Sequence, residues 1–236
     1  MKKTIFLTGS KGFIGSHLLP KLIELGYNVT CAEHNEVPDY RDYFNYIIHL
    51  AAVTTTSDSF IPELFESNII YAKQIMDVPT RIIYASSTSA AELSNPYAYT
   101  KRYIEHLGST RNSTGLRFFN VYGPGNNKGI VKKAIECLKT GQKMQICGGE
   151  QIRDFIYIDD VCKSIISALD SKEKIIEVGT GTGISIYEAL ATIVDVFGGK
   201  LNIDWLDTVK TDMVYSVASP GIHNCLSFEE GLKKML

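Results

Sequence analysis

The sequence predicts an α/β protein with a doubly wound, mainly parallel sheet and a smaller, interleaved C-terminal lobe. Short apolar runs alternate with segments whose apolar residues recur at helical spacing, which is the pattern of a parallel sheet flanked by helices. The chain has 236 residues, enough for one sizeable α/β unit and a small second lobe. We therefore expect one parallel sheet to dominate the structure.

The first strand–helix unit carries the strongest local signal. An apolar run at 4–8 breaks into a turn containing Gly9, Gly12 and Gly15, and a helical pattern follows directly. Glycines let the main chain approach a diphosphate, and free N–H groups at a helix start attract an anion. The spacing is G-x-x-G-x-x-G, and an ordinary tight turn is the alternative. The strand–turn–helix context favours a dinucleotide site.

The next part of the chain departs from the usual doubly wound pattern. A second strand at 28–32 ends at Glu33, and the polar segment 34–45 after it has no room for both a helix and a strand. The third strand of such a sheet lies at its edge, so its loss leaves the other pairings intact. We predict that this strand is missing or vestigial.

The remaining apolar runs and helical patterns complete the sheet and build the second lobe. Strands are predicted at 46–52, 81–85, 116–121, 144–147, 154–158, 175–178 and 202–205. Helices are predicted at 62–76, 96–107, 130–138, 159–169 (capped by Asp159), 186–197 and from 228 onwards. We assign 1–121 and 154–180 to a dinucleotide-binding domain, and 122–153 and 181–236 to a substrate-binding lobe.

Composition narrows the choice of partners. The net charge is −2, which argues against a nucleic-acid partner. The five cysteines are scattered without a C-x-x-C pair, which argues against a disulfide framework or a zinc site. The first apolar run is too short for a signal peptide and no segment is long enough to span a membrane. We expect a cytoplasmic protein that has no membrane partner.

A phenol and an ammonium group recur one helical turn apart. Tyr97 and Lys101 lie at i and i+4, where the ammonium is expected to lower the pKa of the phenol. Ser87 follows a strand at its carboxyl end, where open α/β sheets bind ligands. Together with the dinucleotide site these residues indicate hydride transfer at an alcohol or carbonyl.

Each of these residues also has a plainer interpretation. Taken alone, Tyr97 and Lys101 would be a helix surface and Ser87 a strand-end cap. We interpret His49 as a packed core histidine rather than a base. For Asp159 and Asp160 we favour a helix N-cap over a metal site.

Seven motifs in order resemble the extended short-chain dehydrogenase/reductases of the NAD-dependent nucleotide-sugar epimerase/dehydratase family. The motifs lie at 8–15, 49–52, 84–87, 96–101, 116–124, 151–157 and 179–181. The resemblance implies a Rossmann sheet, with Ser87, Tyr97 and Lys101 as the catalytic triad. It also implies that Asn120 and Arg153 contact the substrate's diphosphate. The implied cofactor contacts are Gly9, Lys11, Gly12, Phe13, Ile14, Gly15, Glu33, Asp39, Leu50, Ala51, Ala52, Tyr97 and Lys101.

The sequence also departs from this family. The loop at 88–95 is short, and it holds Thr88, Ser89 and Ala90 where the family's dehydratases carry acidic residues. Lys210-Thr211-Asp212 replaces a segment that commonly contains an arginine. The lost acids argue against dehydration, because these side chains cannot act as acids at neutral pH. The replacement at 210–212 leaves it undecided whether a second residue contacts the substrate's phosphates.

These observations together favour a nucleotide-sugar 4-epimerase that uses NAD. Glu33 favours NAD over NADP because it would repel a 2′-phosphate, whereas Lys11 could meet that phosphate. A 4-keto-sugar reductase using NAD(P)H is the alternative, and a non-catalytic dinucleotide sensor is the alternative from another class. The family further implies a homodimer that pairs through the helices at 62–76 and 97–107.

Overall fold

The computed structural model describes residues 2–33, 35–39, 43–54, 62–208 and 213–236. The chain forms two compact units. The first unit comprises Met1–Phe118 and Cys162–Ile176, and the second comprises Phe119–Val161 and Glu177–Leu236. Three ranges, 119–121, 154–161 and 177–180, thus belong to the second unit, although the sequence analysis assigns them to the dinucleotide-binding domain. The assignment of cofactor to one unit and substrate to the other stays a prediction.

A six-stranded sheet organises the chain, with the strand order β2-β1-β3-β4-β5-β9. Its strands are β1 (Thr4–Thr8), β2 (Asn28–Cys31), β3 (Tyr46–His49), β4 (Arg81–Ser87), β5 (Ser113–Phe118) and β9 (Ile175–Val178). The pairings from β2 through β5 are parallel. All four residues of β3 are buried, as expected of a strand covered on both faces. The predicted mainly parallel, doubly wound sheet is confirmed.

The helices of the first unit follow the strands as predicted, with one change of type. They are α1 (Phe13–Glu24), α2 (Pro62–Phe65), α3 (Ala72–Met76) and α4 (Pro96–Ser109). The predicted single helix at 62–76 contains a π-helical segment, Glu66–Tyr71, between α2 and α3. The wider turn buries Asn68 and Tyr71.

The described residues of the short segment after β2 form no edge strand and instead pack side chains against the core. No strand occurs among residues 35–39 and 43–45, and β2 is the outermost strand of the described sheet on this side. Val37 and Phe44 pack against the core cluster that contains Phe6 and Ile47. The Phe6 and Phe44 rings lie 5.3 Å apart. Residue 34 and residues 40–42 lie outside the described part of the chain.

The second unit contains two smaller sheets. In one, β8 pairs with β10 and β12 and, at its other end, with β6. In the other, β7 and β11 are parallel. The strands are β6 (Asn120–Tyr122), β7 (Met144–Cys147), β8 (Ile152–Tyr157), β10 (Gly183–Ser185), β11 (Ile203–Leu206) and β12 (Tyr215–Ser216). The sequence did not predict β10 and β12, which are only three and two residues long.

The remaining helices are α5 (Ile130–Thr140), α6 (Ile158–Ala168), α7 (Ile186–Phe197) and α8 (Phe228–Lys233). The expectation that Asp159 caps α6 is wrong, because the helix begins at Ile158 and Asp159 lies within its first turn. Asp160 instead accepts a hydrogen bond from the N–H of Leu226 at 3.0 Å. No described helix is long and apolar enough to cross a membrane.

Candidate active site

The glycine turn after β1 has the geometry of a diphosphate cradle. Gly9 has φ +72°, and a Cβ there would lie 2.7 Å from the backbone nitrogen of Ala51. A Cβ on Gly15 would overlap the carbonyl of Gly9. Gly12 is the N-cap of α1, and no side chain caps this helix start. The turn therefore leaves the start of α1 accessible to an anion, and its residues fit the diphosphate of a dinucleotide.

A cavity of about 360 Å³ lies over this turn. Its described lining is Thr8, Gly9, Ser10, Lys11, Gly12, Ala32, Glu33, Asn35, Ala51, Ala52, Val53, Ser67 and Tyr71. Among the predicted cofactor residues, Gly9, Lys11, Gly12, Glu33, Ala51 and Ala52 are in this lining. Phe13, Ile14, Gly15, Asp39, Leu50, Tyr97 and Lys101 are not in the described lining, and their contacts with a cofactor stay predictions.

Seven lining residues were not assigned to the cofactor from the sequence: Thr8, Ser10, Ala32, Asn35, Val53, Ser67 and Tyr71. Tyr71 donates a hydrogen bond to the carbonyl of Glu36 at 2.7 Å, and burial raises the pKa of its phenol to about 12. Tyr71 and Ser67 reach the cavity from the π-helical segment, which a helical pattern alone does not reveal. The helical spacing of apolar residues predicts a helix at 62–76, but it does not indicate which of its residues face the cavity.

Lys11 and Glu33 form an ion pair at this cavity. The Lys11 Nζ and Glu33 Oε2 atoms are 3.7 Å apart, and both side chains are largely exposed. Glu33, which favours NAD, and Lys11, which could bind the 2′-phosphate of NADP, are therefore neighbours. The pair reduces the negative charge that a ribose or a 2′-phosphate would meet.

A buried hydrogen-bond chain fixes the strand ends below the cavity. The Thr8 Oγ1 atom lies 2.8 Å from Nδ1 of His49 and accepts a hydrogen bond from the N–H of Ala51 at 3.1 Å. His49 is buried, as predicted for a core histidine. Burial and then the nearby Lys101 lower its pKa to about 3, so its imidazole is neutral at physiological pH.

Asn68 joins the cavity to the helix that carries the predicted catalytic residues. Its side chain accepts from the N–H of Val53 and donates to the carbonyl of Val53, both at 2.9 Å. It also donates to the hydroxyl of Thr100 at 3.1 Å. Val53 lines the cavity and Thr100 precedes Lys101, so one buried amide holds both segments in place.

Ser87, Tyr97 and Lys101 come together in the first unit. Ser87 is the last residue of β4, and Asn95 caps α4 by accepting a hydrogen bond from the N–H of Ala98 at 3.0 Å. This cap places Tyr97 in the first turn of the helix, close enough to Ser87 for the serine hydroxyl to act on the pKa of the phenol. The predicted helix start is confirmed, and the predicted proximity of the serine and the tyrosine follows from it.

Lys101 is buried beneath the other two residues. Its side chain is 4% exposed, Nζ donates to the carbonyl of Ala85 at 2.9 Å, and Nζ lies 5.6 Å from the centre of the Tyr97 ring. Burial lowers the pKa of this ammonium to about 8, against the opposing effect of the Glu105 carboxylate.

The expected lowering of the Tyr97 pKa is not found. Burial raises the pKa of this phenol, and the hydrogen bond with Ser87 only partly opposes that effect. The physical reason is that the Lys101 ammonium is directed at the carbonyl of Ala85 instead of at the phenolic oxygen. The i, i+4 spacing therefore predicted the proximity but not the orientation.

The loop after Ser87 is compact and contains no acid at the three positions that follow the serine. Residues Thr88–Ala91 form a 3-10 helix. The Ser87 side chain accepts a hydrogen bond from the N–H of Ser89 at 3.2 Å, and the two hydroxyls are 3.3 Å apart. Ala90 is fully buried. These side chains can hydrogen-bond or pack, but they cannot transfer a proton at neutral pH.

The predicted substrate residues Asn120 and Arg153 both belong to the second unit. Asn120 donates to the carbonyl of Asp154 at 3.1 Å, and Arg153 donates to the carbonyl of Ile152 at 3.0 Å. Their role as contacts of the substrate's diphosphate stays a prediction. Lys210, Thr211 and Asp212 lie outside the described residues.

Asp154 was not singled out from the sequence, although it follows Arg153 in the same motif. Its carboxylate is fully buried and accepts hydrogen bonds from the N–H and hydroxyl of Thr180 at 2.9 and 2.7 Å. It also accepts from the N–H groups of Gly181 and Ala218 at 2.9 and 3.2 Å. A single buried carboxylate thus ties two loops to β8 beside Arg153.

The second unit also contains a basic cavity of about 490 Å³ at the start of α5. Its described lining is Asn127, Lys128, Gly129, Ile130, Lys132, Lys133, Glu136, Met144 and Ile146. Gly129, with φ +87°, is the N-cap of α5, and no side chain caps the helix there. Lysines together with a helix start favour an anionic ligand.

Comparison with known proteins places these features in a family. Residues 5–179 match the sequence model of the NAD dependent epimerase/dehydratase family. CDP-abequose synthase of Salmonella typhimurium is 26% identical over 80% of this chain and 79% of its own length. ADP-L-glycero-D-manno-heptose-6-epimerase of Cupriavidus pinatubonensis is 29% identical over 81% of this chain and 77% of its own.

A solved structure shows the same fold over the whole chain. It is the UDP-N-acetylglucosamine 4-epimerase from Methanobrevibacter ruminantium M1 in complex with UDP-N-acetylmuramic acid. It superposes with a TM-score of 0.83 at 25% identity and covers 100% of this chain and 97% of that one.

Proposed function

This chain belongs to the NAD-dependent epimerase/dehydratase family, and we propose that it is a nucleotide-sugar 4-epimerase. The observation that carries this proposal is the cluster of Ser87, Tyr97 and Lys101 in the same unit as the glycine cradle. Asn68 ties the two together through Val53 and Thr100. A phenol, a hydroxyl and an ammonium group beside a dinucleotide site are suited to alcohol–ketone interconversion.

Each of the three side chains has a distinct task in this proposal. When bound, NAD supplies a group that accepts a hydride from the sugar and returns it. Tyr97 takes the proton of the C4 hydroxyl and later returns it, while Ser87 hydrogen-bonds the same oxygen. Because burial raises the Tyr97 pKa, the phenol needs a nearby positive charge to lose its proton. We assign this task to Lys101, whose ammonium lies 5.6 Å from the ring centre and would turn from the Ala85 carbonyl towards the phenolic oxygen.

The second unit supplies features that support a nucleotide-sugar substrate. We assign Asn120 and Arg153 to the diphosphate, since a guanidinium can hold phosphate oxygens in a charge-assisted fork. The lysine-lined cavity at the start of α5 has the charge expected for part of such a substrate. The two sequence relatives are named for CDP- and ADP-linked sugars, which supports the substrate class without fixing the nucleotide.

Epimerisation is favoured over dehydration by the three residues directly after Ser87. Removing water across C5 and C6 needs an additional acid and base, and Thr88, Ser89 and Ala90 provide neither. In this proposal the short 3-10 turn at Thr88–Ala91 would give a keto-sugar room to rotate, as an epimerase requires.

The experiment that tests this function needs only the protein, NAD and a panel of substrates. UDP-, dTDP-, GDP- and CDP-sugars are incubated with the protein, without reduced cofactor, and products are followed by NMR. We expect a C4-inverted sugar from at least one of them, and none from the Tyr97→Phe variant. If no sugar is converted, or if conversion persists in that variant, the proposed function is wrong.

The Lys11–Glu33 ion pair favours a second candidate, a 4-keto-sugar reductase. The pair screens the carboxylate that would otherwise repel the 2′-phosphate of NADPH. Consumption of NADPH with a 4-keto sugar, together with no inversion in the first assay, would favour the reductase. Binding without turnover of any sugar would favour the third alternative, a dinucleotide sensor.

Cofactor titration separates NAD from NADP. In this proposal NAD binds more tightly than NADP to the unmodified protein, because Glu33 can accept two ribose hydroxyls. Glu33→Gln should narrow that preference, whereas Lys11→Gln should widen it by removing the charge that screens Glu33. Tighter NADP binding by the unmodified protein would contradict the assignment.

A further inference from the structure

A buried carboxylate lies one turn beyond Lys101 and has no part in the proton path proposed above. Tyr97, Lys101 and Glu105 succeed each other at i, i+4 and i+8 on α4, so they share one face of the helix. Glu105 is only 7% exposed. A charged group this deeply buried is costly to keep unless its partners satisfy it.

The partners of Glu105 satisfy its charge closely. Arg117 donates from Nε to one carboxylate oxygen and from Nη2 to the other, both at 2.8 Å. The hydroxyl of Ser86 donates to the first oxygen at 2.7 Å. Arg102 adds a longer ion pair at 3.7 Å. The two-pronged contact with Arg117 is the geometry of an ionised carboxylate facing a guanidinium.

This cluster is built into the strands that carry the site. Ser86 and Arg117 face each other in the register of β4 and β5, and Ser86 immediately precedes Ser87. Ala85, whose carbonyl accepts the hydrogen bond from Lys101, precedes Ser86. Through Ser86, Glu105 therefore holds the segment Ala85–Ser87 of β4. This segment provides the carbonyl that binds Lys101 and the serine of the triad.

Few other groups act on the charge of Lys101 among the described residues. From α4 these are Tyr97 and Glu105, from β4 the carbonyl of Ala85, and from β3 the neutral His49. Glu105 is the anion of this set, and its effect opposes the loss of charge that burial favours. Arg117 contributes through Glu105, to which it is paired.

We propose that Glu105 is a positioning residue of the candidate active site, which fixes the Ala85–Ser87 segment through Ser86 and supplies a negative charge one helical turn from Lys101. The proposal rests on the proposed function only for the catalytic role of the Lys101 ammonium beside Tyr97. Its direct test is the titration of Lys101, which needs no substrate.

The test compares Glu105→Gln with the unmodified protein. The amide keeps the size of the side chain and an acceptor for Ser86 but removes the negative charge. With 15N-lysine labelling and Lys101→Arg for assignment, we expect the NMR titration midpoint of Lys101 to move down by about one pH unit. An unchanged midpoint would overturn the proposal.

A second readout separates this role from simple structural support. If the ammonium is the active form, a midpoint lowered by one unit reduces its fraction about fivefold at pH 8 and hardly at pH 6. The ratio of kcat between Glu105→Gln and the unmodified enzyme should follow that trend. A loss equal at both pH values would mean that Glu105 only supports the fold.

Two further variants keep the test decisive. Asp77→Asn removes an exposed ion pair with Lys73 and Arg111 in the same unit, and it should leave the Lys101 titration unchanged. If Glu105→Gln does not fold, Glu105→Asp retains the charge at a greater distance and should lower the midpoint by a smaller amount. No shift in that variant would count against the proposal. Failure to find any sugar activity would affect the proposed function but not the titration.

Discussion

Tyr97 is the side chain on which the proposed chemistry depends most directly. Tyr97→Phe removes the one oxygen that can accept the sugar proton and leaves the glycine cradle untouched. We expect kcat to fall by roughly 10²–10⁴-fold with little change in cofactor affinity. Activity assays and a cofactor titration measure the two quantities separately.

The matched control is Tyr99→Phe on the same helix. Tyr99 is 59% exposed and removing its hydroxyl should change neither quantity. A Tyr97→Phe variant with a near-normal rate would show that the acid–base group lies elsewhere.

His49 makes a separate prediction about stability and pH. Its pKa is about 3 in the folded protein against about 6.5 in the unfolded chain. The unfolded state therefore binds more protons below pH 6.5, and the free energy of unfolding should fall as the pH drops, by up to ~1.4 kcal/mol per unit.

Chemical unfolding at pH 7 and pH 5.5 measures this loss. His49→Asn keeps a polar partner for Thr8 but does not titrate, so its stability should change less over that interval. His106→Gln, at an exposed position on α4, should behave like the unmodified protein. Equal pH dependence in His49→Asn and the unmodified protein would contradict the prediction.

Among the secondary-structure elements, α4 owes its position to a local signal. Asn95 accepts a hydrogen bond from the N–H of Ala98, and Pro96 occupies the first helical position. Asn95→Ala should lower the free energy of unfolding by about 1 kcal/mol. Because the cap also sets the first turn, which carries Tyr97, kcat should fall as well.

Urea unfolding and kcat assays measure these effects, with Ser94→Ala as the neighbouring control. Ser94 does not cap the helix and only accepts a long hydrogen bond, at 3.4 Å, from the Asn95 amide nitrogen, so its loss should leave both quantities nearly unchanged. A stable Asn95→Ala variant would mean that tertiary packing alone fixes the start of α4.

The elements that the sequence predicts best are those with local signals of this kind. The glycine turn, the start of α4 and the buried strand β3 each follow from a few consecutive residues. The start of β5 was missed because Ser113 and Thr114 look like loop residues. Both are buried, with their hydroxyls bonded to the carbonyls of Gly108 and Glu173.

In the candidate site, too, the sequence predicts the contacts between residues that are close in the chain but not those between distant ones. Tyr97 and Lys101 are near in sequence, so their spacing predicts that they meet. The π-helical turn that buries Asn68 depends on its bonds to Val53 and Thr100, which are distant in sequence. The direction of the Lys101 ammonium likewise depends on Ala85 of another element. Such contacts are set by the tertiary fold, and no local pattern records them.

For the molecule as a whole, we predict a homodimer that pairs through the helical segment at 62–76 and α4. These two segments pack together through Asn68 and Thr100, and both leave apolar residues exposed. Phe65 is 46% exposed and Ile70 is 39% exposed, and Tyr99 is also largely exposed. Burying such residues against a second copy would stabilise the pair, and aromatic side chains contribute most to such interfaces.

Sedimentation at micromolar concentration tests this prediction against the 26.2 kDa mass of one chain. The unmodified protein should sediment at twice that mass. Tyr99→Glu places a charge in the proposed interface and should raise the dissociation constant by at least about thirtyfold. The control, Tyr187→Glu, changes a 47% exposed tyrosine of the second unit and should leave the dimer intact. A monomeric unmodified protein would contradict the prediction, because the proposed interface would then stay exposed to solvent.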